Sequence, residues 1–238
     1  MDFQTLVDTD AVGIKIEHDE AVMMLGSCFA EDVGNLLKRS MLALCINPFG
    51  TLYNPRSIAQ SLRRLMADLP FSADELVAYG NLWHSMSHHS RFSSVDKDRA
   101  LQKINAAYAE GVACLRSARH LIVTFGTAYT FSTADGETVA NCHKMPASMF
   151  NRRMLSTNEI ADEWIPLIDD IRKFNPHIDI TFTVSPVRHL ADGAHGNQLS
   201  KSTLLLAADR IMAQRPGVCH YFPSYEIMLD QLRDYRFF

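Results

Sequence analysis

The stretch Val22-Met23-Met24-Leu25-Gly26-Ser27-Cys28-Phe29-Ala30 decides the fold, because the sequence pattern changes at a single glycine. Four consecutive apolar residues precede that glycine, and such a run is typical of a short strand buried on both faces. Beyond Ser27, apolar residues recur at helical spacing, with acidic residues in the first turn, where they suit the helix dipole. The stretch therefore predicts a strand, a tight turn and a helix.

The turn at Ser27 is a suitable place for a nucleophile. A serine hydroxyl at the carboxyl end of a strand lies near the free N–H groups of the following helix, and such donors stabilise a developing oxyanion. The alternative is that Ser27 only caps the helix, since serine is a leading N-cap residue. The neighbouring Cys28 is an alternative nucleophile, but a cysteine in the first helical turn is more often a small core residue, and we interpret it so.

The composition is that of an ordinary globular chain and excludes several classes of function. The 238 residues are 47% hydrophobic, enough for a sizeable core, and we expect one domain over residues 1–238. The net charge is −4 and the basic residues form no stripe, so we expect no nucleic-acid partner. No apolar run approaches the roughly 20 residues of a membrane span, and no signal peptide is visible. We therefore expect no membrane partner and a cytoplasmic protein.

The cysteines and histidines do not form a pattern of metal ligands. The five cysteines are scattered without a C-x-x-C pair, which argues against zinc and for a reducing compartment. His84 and His88 have an i, i+4 spacing that suits a metal only on a helix, and the alternating pattern around them argues against a helix. We expect neither a metal nor a cofactor.

Three further apolar runs resemble the first strand and are separated from one another by helical patterns. These runs are residues 41–46, 120–125 and 179–184. Buried strands that alternate with helices predict a mostly parallel sheet covered on both faces, a three-layer α/β/α fold. Ligands of such sheets bind beyond the carboxyl ends of the strands. Those ends carry Ser27, residues 47–50, Gly126-Thr127 and Ser185-Pro186.

The remaining segments predict helices, a last strand and two hairpins. The helical patterns begin at Pro55, Val95, Thr157, Asn197 and Tyr225, and the last strand covers residues 218–222. Pro166 should kink the third of these helices or mark its true start. We interpret residues 70–94 and 129–145 as insertions or hairpins near the site. Val12, Ile14 and Ile16 alternate as in an edge strand.

The residues Gly26 to Ala30 spell the motif that names the GSCFA family, and the resemblance covers nearly the whole chain. The further matching motifs are Asn47–Gly50, Tyr53–Pro55, Phe125–Ala128, Asn141–Lys144, Ser185–His189 with Asn197 and Ser200-Lys201, and Tyr221–Glu226. More distantly, the chain resembles the SGNH (GDSL-like) hydrolases, flavodoxin-like α/β/α esterases that act on acyl or acetyl esters. The resemblance implies a small-molecule or carbohydrate ester as the substrate.

The SGNH pattern also assigns roles to residues. In that superfamily the serine after the first strand is the nucleophile, and its N–H helps to form the oxyanion hole. A glycine after the second strand and an asparagine after the third complete the hole. By this match Ser27 is the nucleophile, Gly50 contributes to the oxyanion hole, and Gly126 is the glycine of the third block.

Two parts of the superfamily's site have no match in the sequence. The oxyanion asparagine falls at Ala128, which has no side-chain donor, so Thr127, Asn141 or His143 should compensate. The chain also contains no Asp-x-x-His, the block that supplies the base. We expect this block beyond Phe238, which implies that the chain lacks its C-terminal segment and has little activity by itself. No histidine ring should then lie within hydrogen-bond distance of the Ser27 hydroxyl.

Further residues are expected to line the site, although each also has a structural interpretation. They are Asn54, His89, Asn141, His143 and His189. Asn54 also suits the turn before Pro55, and the loop of His189 also suits solvent or a surrogate base with Asp192. Lys201 should pair at a helix start or bind an acidic substrate group. The alternative function is a non-catalytic ligand- or carbohydrate-binding protein, and the sequence does not indicate the oligomeric state.

Overall fold

The computed structural model describes residues 5–9 and 14–233, and its main sheet contains five parallel strands. The strands of the described part are β1 (Ala21–Gly26), β2 (Ala43–Ile46), β3 (Leu76–Tyr79), β4 (Leu82–Ser85), β5 (His120–Phe125), β6 (Tyr129–Ser132), β7 (Thr138–Val139), β8 (Asn151–Met154), β9 (Asp179–Val184) and β10 (Cys219–Tyr221). The helices are α1 (Cys28–Arg39), α2 (Pro55–Ala67), α3 (Lys97–Ser117), α4 (Thr157–Phe174), α5 (Gly193–Gln214) and the short α6 (Ser224–Glu226), which continues as a π-helical turn over Ile227–Gln231.

The main sheet has the order β2-β1-β5-β9-β10. All four neighbouring pairs are parallel, so the predicted runs at 22–25, 41–46, 120–125 and 179–184 form adjacent parallel strands, as expected. Counted along the chain, this is the 2-1-3-4-5 order of flavodoxin-like sheets. The α/β fold class is confirmed, and the first strand lies inside the sheet, between β2 and β5.

The main hydrophobic core lies on one face of this sheet. Phe125, Trp164 and Phe182 pack there with ring centroids 5.2 to 5.4 Å apart. Aromatic pairs at such distances contribute about 0.5–1.5 kcal/mol each beyond their burial. The Trp164 indole N–H donates to the Pro55 carbonyl at 3.2 Å. This contact fixes α4 against the start of α2, close to the carboxyl edge of the sheet.

Antiparallel strands occur in the two predicted insertions or hairpins, residues 70–94 and 129–145, and in β8, which follows the second of them. β3 pairs with β4, and β6 pairs with both β7 and β8. The two small sheets approach each other where the Ala140 N–H donates to the Met86 carbonyl at 2.7 Å. The two small sheets are therefore neighbours in the structure. None of the described helices is apolar and long enough to span a membrane.

Several predicted boundaries were wrong for identifiable reasons. The predicted start of α4 at Thr157 is confirmed, because Ser156 and Glu159 form a capping box there. The alternative start at Pro166 is wrong, since the helix continues through this proline. α5 begins at Gly193, ahead of Asn197. Ile14 and Ile16 belong to no strand, and Val12 lies outside the described residues. The strand at 41–46 begins only at Ala43, because Met41 has a positive φ of 65°.

Candidate active site

The turn between β1 and α1 is held by a loop that follows β2. The Gly26 N–H donates to the Asn47 side-chain carbonyl at 2.9 Å, and the Leu52 N–H donates to the Gly26 carbonyl at 2.8 Å. Gly26 has φ 148°, and a Cβ at this position would overlap the carbonyl of Thr124 on β5. The turn therefore needs glycine, because its backbone lies directly against the neighbouring strand.

Ser27 occupies the N-cap position of α1, but its side chain does not cap the helix. The residue is 1% exposed, and its hydroxyl has no hydrogen-bond partner among the described residues. Leaving a buried polar group unpaired costs about 1–3 kcal/mol, so such a group in a native structure calls for an explanation. The expectation that no histidine ring contacts this hydroxyl is therefore met by the described part of the chain.

A short extended segment fills the gap between the ends of β1 and β5. The Tyr53 carbonyl accepts the N–H groups of both Gly126 and Thr127, at 2.8 and 2.9 Å. A Cβ on Gly126 would lie 2.9 Å from this carbonyl and 3.3 Å from the Ser27 Cβ. Gly126 is thus required by the close approach of two backbone segments, and it packs directly against Ser27.

The structure of the loop after β2 explains why position 50 is a glycine. Its N–H donates to the Asn47 carbonyl at 2.7 Å, so this donor is already engaged within its own turn. Its φ is 79°, and a Cβ would overlap the Cβ of His89. The expected convergence of the Gly50 and Ser27 N–H groups on one oxyanion therefore finds no support in this structure.

The hydroxyl of Thr127 is also engaged. Thr127 Oγ1 lies 3.1 Å from the hydroxyl of Ser200, which in turn accepts the Ala128 N–H at 2.8 Å. The Tyr129 N–H donates to the same Thr127 oxygen at 3.2 Å. Ser200 on α5 therefore holds the loop after β5 in place and leaves Thr127 poorly placed to compensate for Ala128.

Lys201 is the feature that sequence reasoning interpreted least well. It is fully buried in α5, and its ammonium donates to the carbonyls of Gly126 at 2.5 Å and Ser185 at 2.6 Å. Burial lowers the Lys201 pKa to about 8. The side chain therefore ties together the carboxyl ends of β5 and β9. Its spacing from Leu204 and Ala208 on the buried face of α5 is the signal that could have revealed it.

Asn141 and His143 lie in a histidine cluster beside β4. The His143 Nε2 contacts the Ser85 carbonyl at 2.8 Å, and its ring lies 4.5 Å from that of His84. Asn141 accepts the His143 N–H at 2.8 Å and so sets the local turn. Burial lowers the pKa of His143, which favours its uncharged ring.

His88 and His89 complete this histidine cluster. His88 stacks on Phe49 with ring centroids 4.8 Å apart, and burial lowers its pKa to about 3. Burial also lowers the pKa of the half-buried His89. In the part of the chain that the structure describes, no three metal-ligating side chains come together. The cluster consists of packed rings, and burial favours the uncharged form of His88, His89 and His143.

A cleft of about 670 Å³ opens beside the β1–α1 turn. Its walls are formed by Cys28, Tyr53, Asn54, Thr127, Tyr129, Phe131, Ala140, Arg152, Val187, Arg188, His189, Leu190, Ala191 and Asp192. Cys28 is half-buried and lines the cleft, which corrects its interpretation as a core residue. Ser27 directly precedes Cys28 in the sequence. Of the predicted site residues, Asn54, Thr127 and His189 line this cleft, whereas Gly50, His89, Asn141 and His143 belong to the neighbouring loop and histidine cluster.

The side chains of the cleft are held by specific contacts. The His189 ring meets the Tyr53 ring edge-on at 5.8 Å, and the His189 N–H donates to Asn197 at 2.9 Å. Burial, followed by the nearby Lys201 charge, lowers the His189 pKa. The Arg152 guanidinium covers the Tyr129 ring at 3.8 Å. The cleft therefore combines an uncharged imidazole, aromatic walls and basic groups.

The model of the GSCFA family matches residues 21–238. The chain belongs to the GSCFA family. No curated protein matches this GSCFA protein. Among solved structures, an acetyl xylan esterase from the rumen bacterium Butyrivibrio proteoclasticus is similar, with 11% sequence identity and a TM-score of 0.35. The similarity covers 88% of the GSCFA chain and 56% of the esterase, which is less than two thirds of that enzyme's length.

Proposed function

We propose that this GSCFA protein is a serine hydrolase that cleaves a small or carbohydrate-linked ester, with Ser27 as its nucleophile. The observation that carries the proposal is the Ser27 hydroxyl, which is buried, has no partner among the described residues and does not cap α1. It stands at the carboxyl edge of a parallel sheet, where α/β proteins bind their ligands. A chemical role explains why a destabilising hydroxyl occupies this turn.

The proposed reaction is acyl transfer through a covalent intermediate. Ser27 Oγ forms a bond to the acyl carbon while its proton moves to a base, and the carbonyl π electrons move to the oxygen. Collapse of the tetrahedral intermediate expels the alcohol, which receives the proton. Water then attacks the acyl-enzyme in the same way and regenerates the Ser27 hydroxyl. The cleft beside Ser27 has a volume in the range of about 300–1,000 Å³ that small-molecule sites occupy.

The base is assigned only through the SGNH resemblance, which implies a C-terminal histidine. His189 lines the cleft, and its lowered pKa favours the uncharged ring that a base requires, but its ring does not bond to Ser27 Oγ. We therefore expect His189→Gln to retain the acylation of Ser27. A loss of acylation in this variant, with the fold intact, would instead assign the base to His189.

The test combines chemistry with stability. The full-length protein is incubated with a small activated aryl acetate, release of the phenolate is followed, and the acetyl group is located by mass spectrometry. Wild type should release phenolate and carry the acetyl group on the peptide containing Ser27, and Ser27→Ala should do neither. The free energy of unfolding of Ser27→Ala should also exceed that of wild type by up to about 1–3 kcal/mol, because the substitution removes an unpaired buried hydroxyl. If Ser27 were a helix cap, the same substitution would instead destabilise by about 0.5–2 kcal/mol.

Ser61→Ala is the matched control for the stability measurement. Ser61 is also buried, but its hydroxyl donates to the Ile58 carbonyl at 2.8 Å. Removing this satisfied hydroxyl should destabilise by about 0.5–1.5 kcal/mol and leave acylation unchanged. A similar loss of stability in Ser27→Ala and Ser61→Ala would contradict the idea that the Ser27 hydroxyl is unpaired.

The second candidate function is a non-catalytic binding protein that keeps the fold. The observation that favours it is the burial of Ser27, since Cys28 lines the cleft while Ser27 is 1% exposed. On this alternative, wild type and Ser27→Ala would react with the activated ester at the same slow rate. The cleft would then bind a ligand without transferring its acyl group.

A further inference from the structure

We propose that the side-chain amide of Asn54 is the oxyanion donor that Ala128 cannot provide. The inference rests on the proposed function, since it names the group that stabilises the anion formed when Ser27 attacks. It assigns to Asn54 a direct contact with the reacting oxygen, in addition to its place in the cleft wall.

The backbone around Asn54 places this residue between the two chain segments of the site. Leu52 bonds to Gly26, the residue before Ser27, and the Tyr53 carbonyl bonds to both Gly126 and Thr127. Asn54 follows directly and lines the cleft together with Cys28 and Thr127. Ser27, whose hydroxyl is unpaired, packs with its Cβ against Gly126 and directly precedes Cys28 of the cleft wall. Asn54 therefore belongs to the segment that bonds to the residues around the proposed nucleophile, and it faces the cleft where a substrate would lie.

The orientation of the Asn54 amide is fixed by its own hydrogen bonds. Its Oδ1 accepts the Ser57 N–H at 2.8 Å, and a backbone N–H can only donate, so the oxygen must face α2. Its Nδ2 donates one hydrogen to the Ser57 hydroxyl at 3.0 Å. The second hydrogen of the planar amide diverges from Ser57. A residue that is 4% exposed thus presents one remaining N–H from a fixed amide.

Three of the other candidate donors are already engaged, and the fourth, Asn141, does not line the cleft. The N–H of Gly50 bonds to Asn47, and the hydroxyl of Thr127 lies against Ser200. His143 uses its Nε2 for the Ser85 carbonyl and lies in the histidine cluster rather than in the cleft wall. Among the site residues that the structure describes, Asn54 combines a fixed amide, an N–H without an assigned partner and a place in the cleft.

A fixed amide donor of this kind has a well-defined chemical effect. It bonds more strongly to the oxyanion of the tetrahedral intermediate than to the ground-state carbonyl, so it raises kcat rather than lowering KM. Removing one such donor lowers kcat by about 10²–10³. The N-cap bond to Ser57 fixes the orientation of the amide before the reaction begins. Stabilisation of an oxyanion depends on such preorganised donors.

The test uses two substitutions that keep the helix cap and remove the donor. Aspartate and serine cap helices about as well as asparagine, so Asn54→Asp and Asn54→Ser should retain the fold and stability of α2. Both should lower kcat for the aryl acetate by about 10²-fold or more, with KM nearly unchanged. The serine variant adds no charge, so a loss in both variants separates the missing donor from repulsion by a carboxylate.

Asn105→Asp is the matched control. The Asn105 amide also makes two hydrogen bonds, to the N–H and carbonyl of Phe71, but it lies outside the cleft. This variant should lose stability and keep kcat.

Three results would overturn the inference. An unchanged kcat in both Asn54 variants would reduce Asn54 to a helix cap, and a raised KM with unchanged kcat would make it a ground-state binding residue. In either case the acetylation of Ser27 in wild type would still support the hydrolase. If wild type itself fails to acylate Ser27, the proposed function falls and the role of Asn54 falls with it.

Discussion

Replacing Lys201 by methionine tests whether a buried ammonium holds the carboxyl edge of the sheet. Methionine has a similar length and suits an apolar site, but it cannot donate to the carbonyls of Gly126 and Ser185. In the described residues Lys201 forms no ion pair with a carboxylate. The substitution therefore removes two hydrogen bonds and one desolvated charge.

At neutral pH the loss of the two hydrogen bonds destabilises the variant, whereas the removal of the buried charge stabilises it, so the two effects oppose each other. Each carbonyl left unpaired costs about 1–3 kcal/mol. The lowering of the Lys201 pKa from 10.5 to about 8 corresponds to about 3 kcal/mol of penalty for the buried charge, at about 1.4 kcal/mol per pH unit. At pH 7 the free energy of unfolding of Lys201→Met should therefore lie within about 3 kcal/mol of the wild-type value.

The sign of the pH dependence follows from linkage. Between about pH 8 and pH 10.5 the Lys201 side chain binds more protons in the unfolded state than in the folded state. The stability of wild type therefore rises relative to the variant as pH increases through this window. The neutral amine still donates to both carbonyls, so its hydrogen bonds remain. The free energy of unfolding of wild type minus that of Lys201→Met should rise by about 3 kcal/mol between pH 8 and pH 10.5.

Urea unfolding followed by the fluorescence of the fully buried Trp164 measures this difference at pH 7, 9 and 10.5. Lys103→Met, at an exposed position of α3, is the control and should stay within about 0.5 kcal/mol of wild type at pH 7. If the free energy of unfolding of wild type minus that of Lys201→Met stays constant or falls as pH rises, the assignment of a desolvated ammonium to Lys201 is refuted. Titration of other groups cancels in the comparison, because wild type and variant share them.

Two further predictions concern the histidine cluster and the loop beside it. Between pH 7 and pH 4, urea unfolding should show that wild type loses about 3 kcal/mol more stability than His88→Leu. The reason is the lowered pKa of His88, because of which the unfolded state binds more protons than the folded state below pH 6.5. An equal loss of stability in both proteins would contradict a buried neutral ring. Gly50→Ala should destabilise by about 1–3 kcal/mol more than Gly136→Ala. Both glycines have a positive φ, but only at Gly50 would a Cβ meet another residue, His89, so equal losses would contradict that contact.

The sheet could be predicted from the sequence because its strands are apolar on both faces. The run 22–25 cannot leave either face in water, so a covered parallel sheet follows from the residues themselves. The carboxyl-edge rule then placed Ser27 and Gly126 at one site without any knowledge of contacts. Local chemistry also set the start of α2, where Asn54 caps and Pro55 begins the helix.

The parts of the site that could not be predicted depend on contacts between distant segments. The reason for glycine at position 50 is the side chain of His89, which a different hairpin loop brings to it. The burial of Lys201 depends on two carbonyls from different strands. Asn141 and His143 match the family motif, but the structure uses them to build a turn beside β4. A sequence pattern indicates which residues matter without distinguishing a reacting group from a packing contact.

The energetics of the carboxyl edge connect these observations to function. The unpaired Ser27 hydroxyl and the desolvated Lys201 charge each disfavour the folded state, and both adjoin Gly126. A domain is stable by only about 5–15 kcal/mol, so two such penalties at one place are substantial. Local rules are broken in this way mostly at functional sites, while the rest of the chain compensates. The core around Trp164, where the rules are obeyed, supplies that compensation. The proposed hydrolase would explain why both penalties occur beside one cleft, because a nucleophile must keep its hydroxyl free and the loops around it must be held in place.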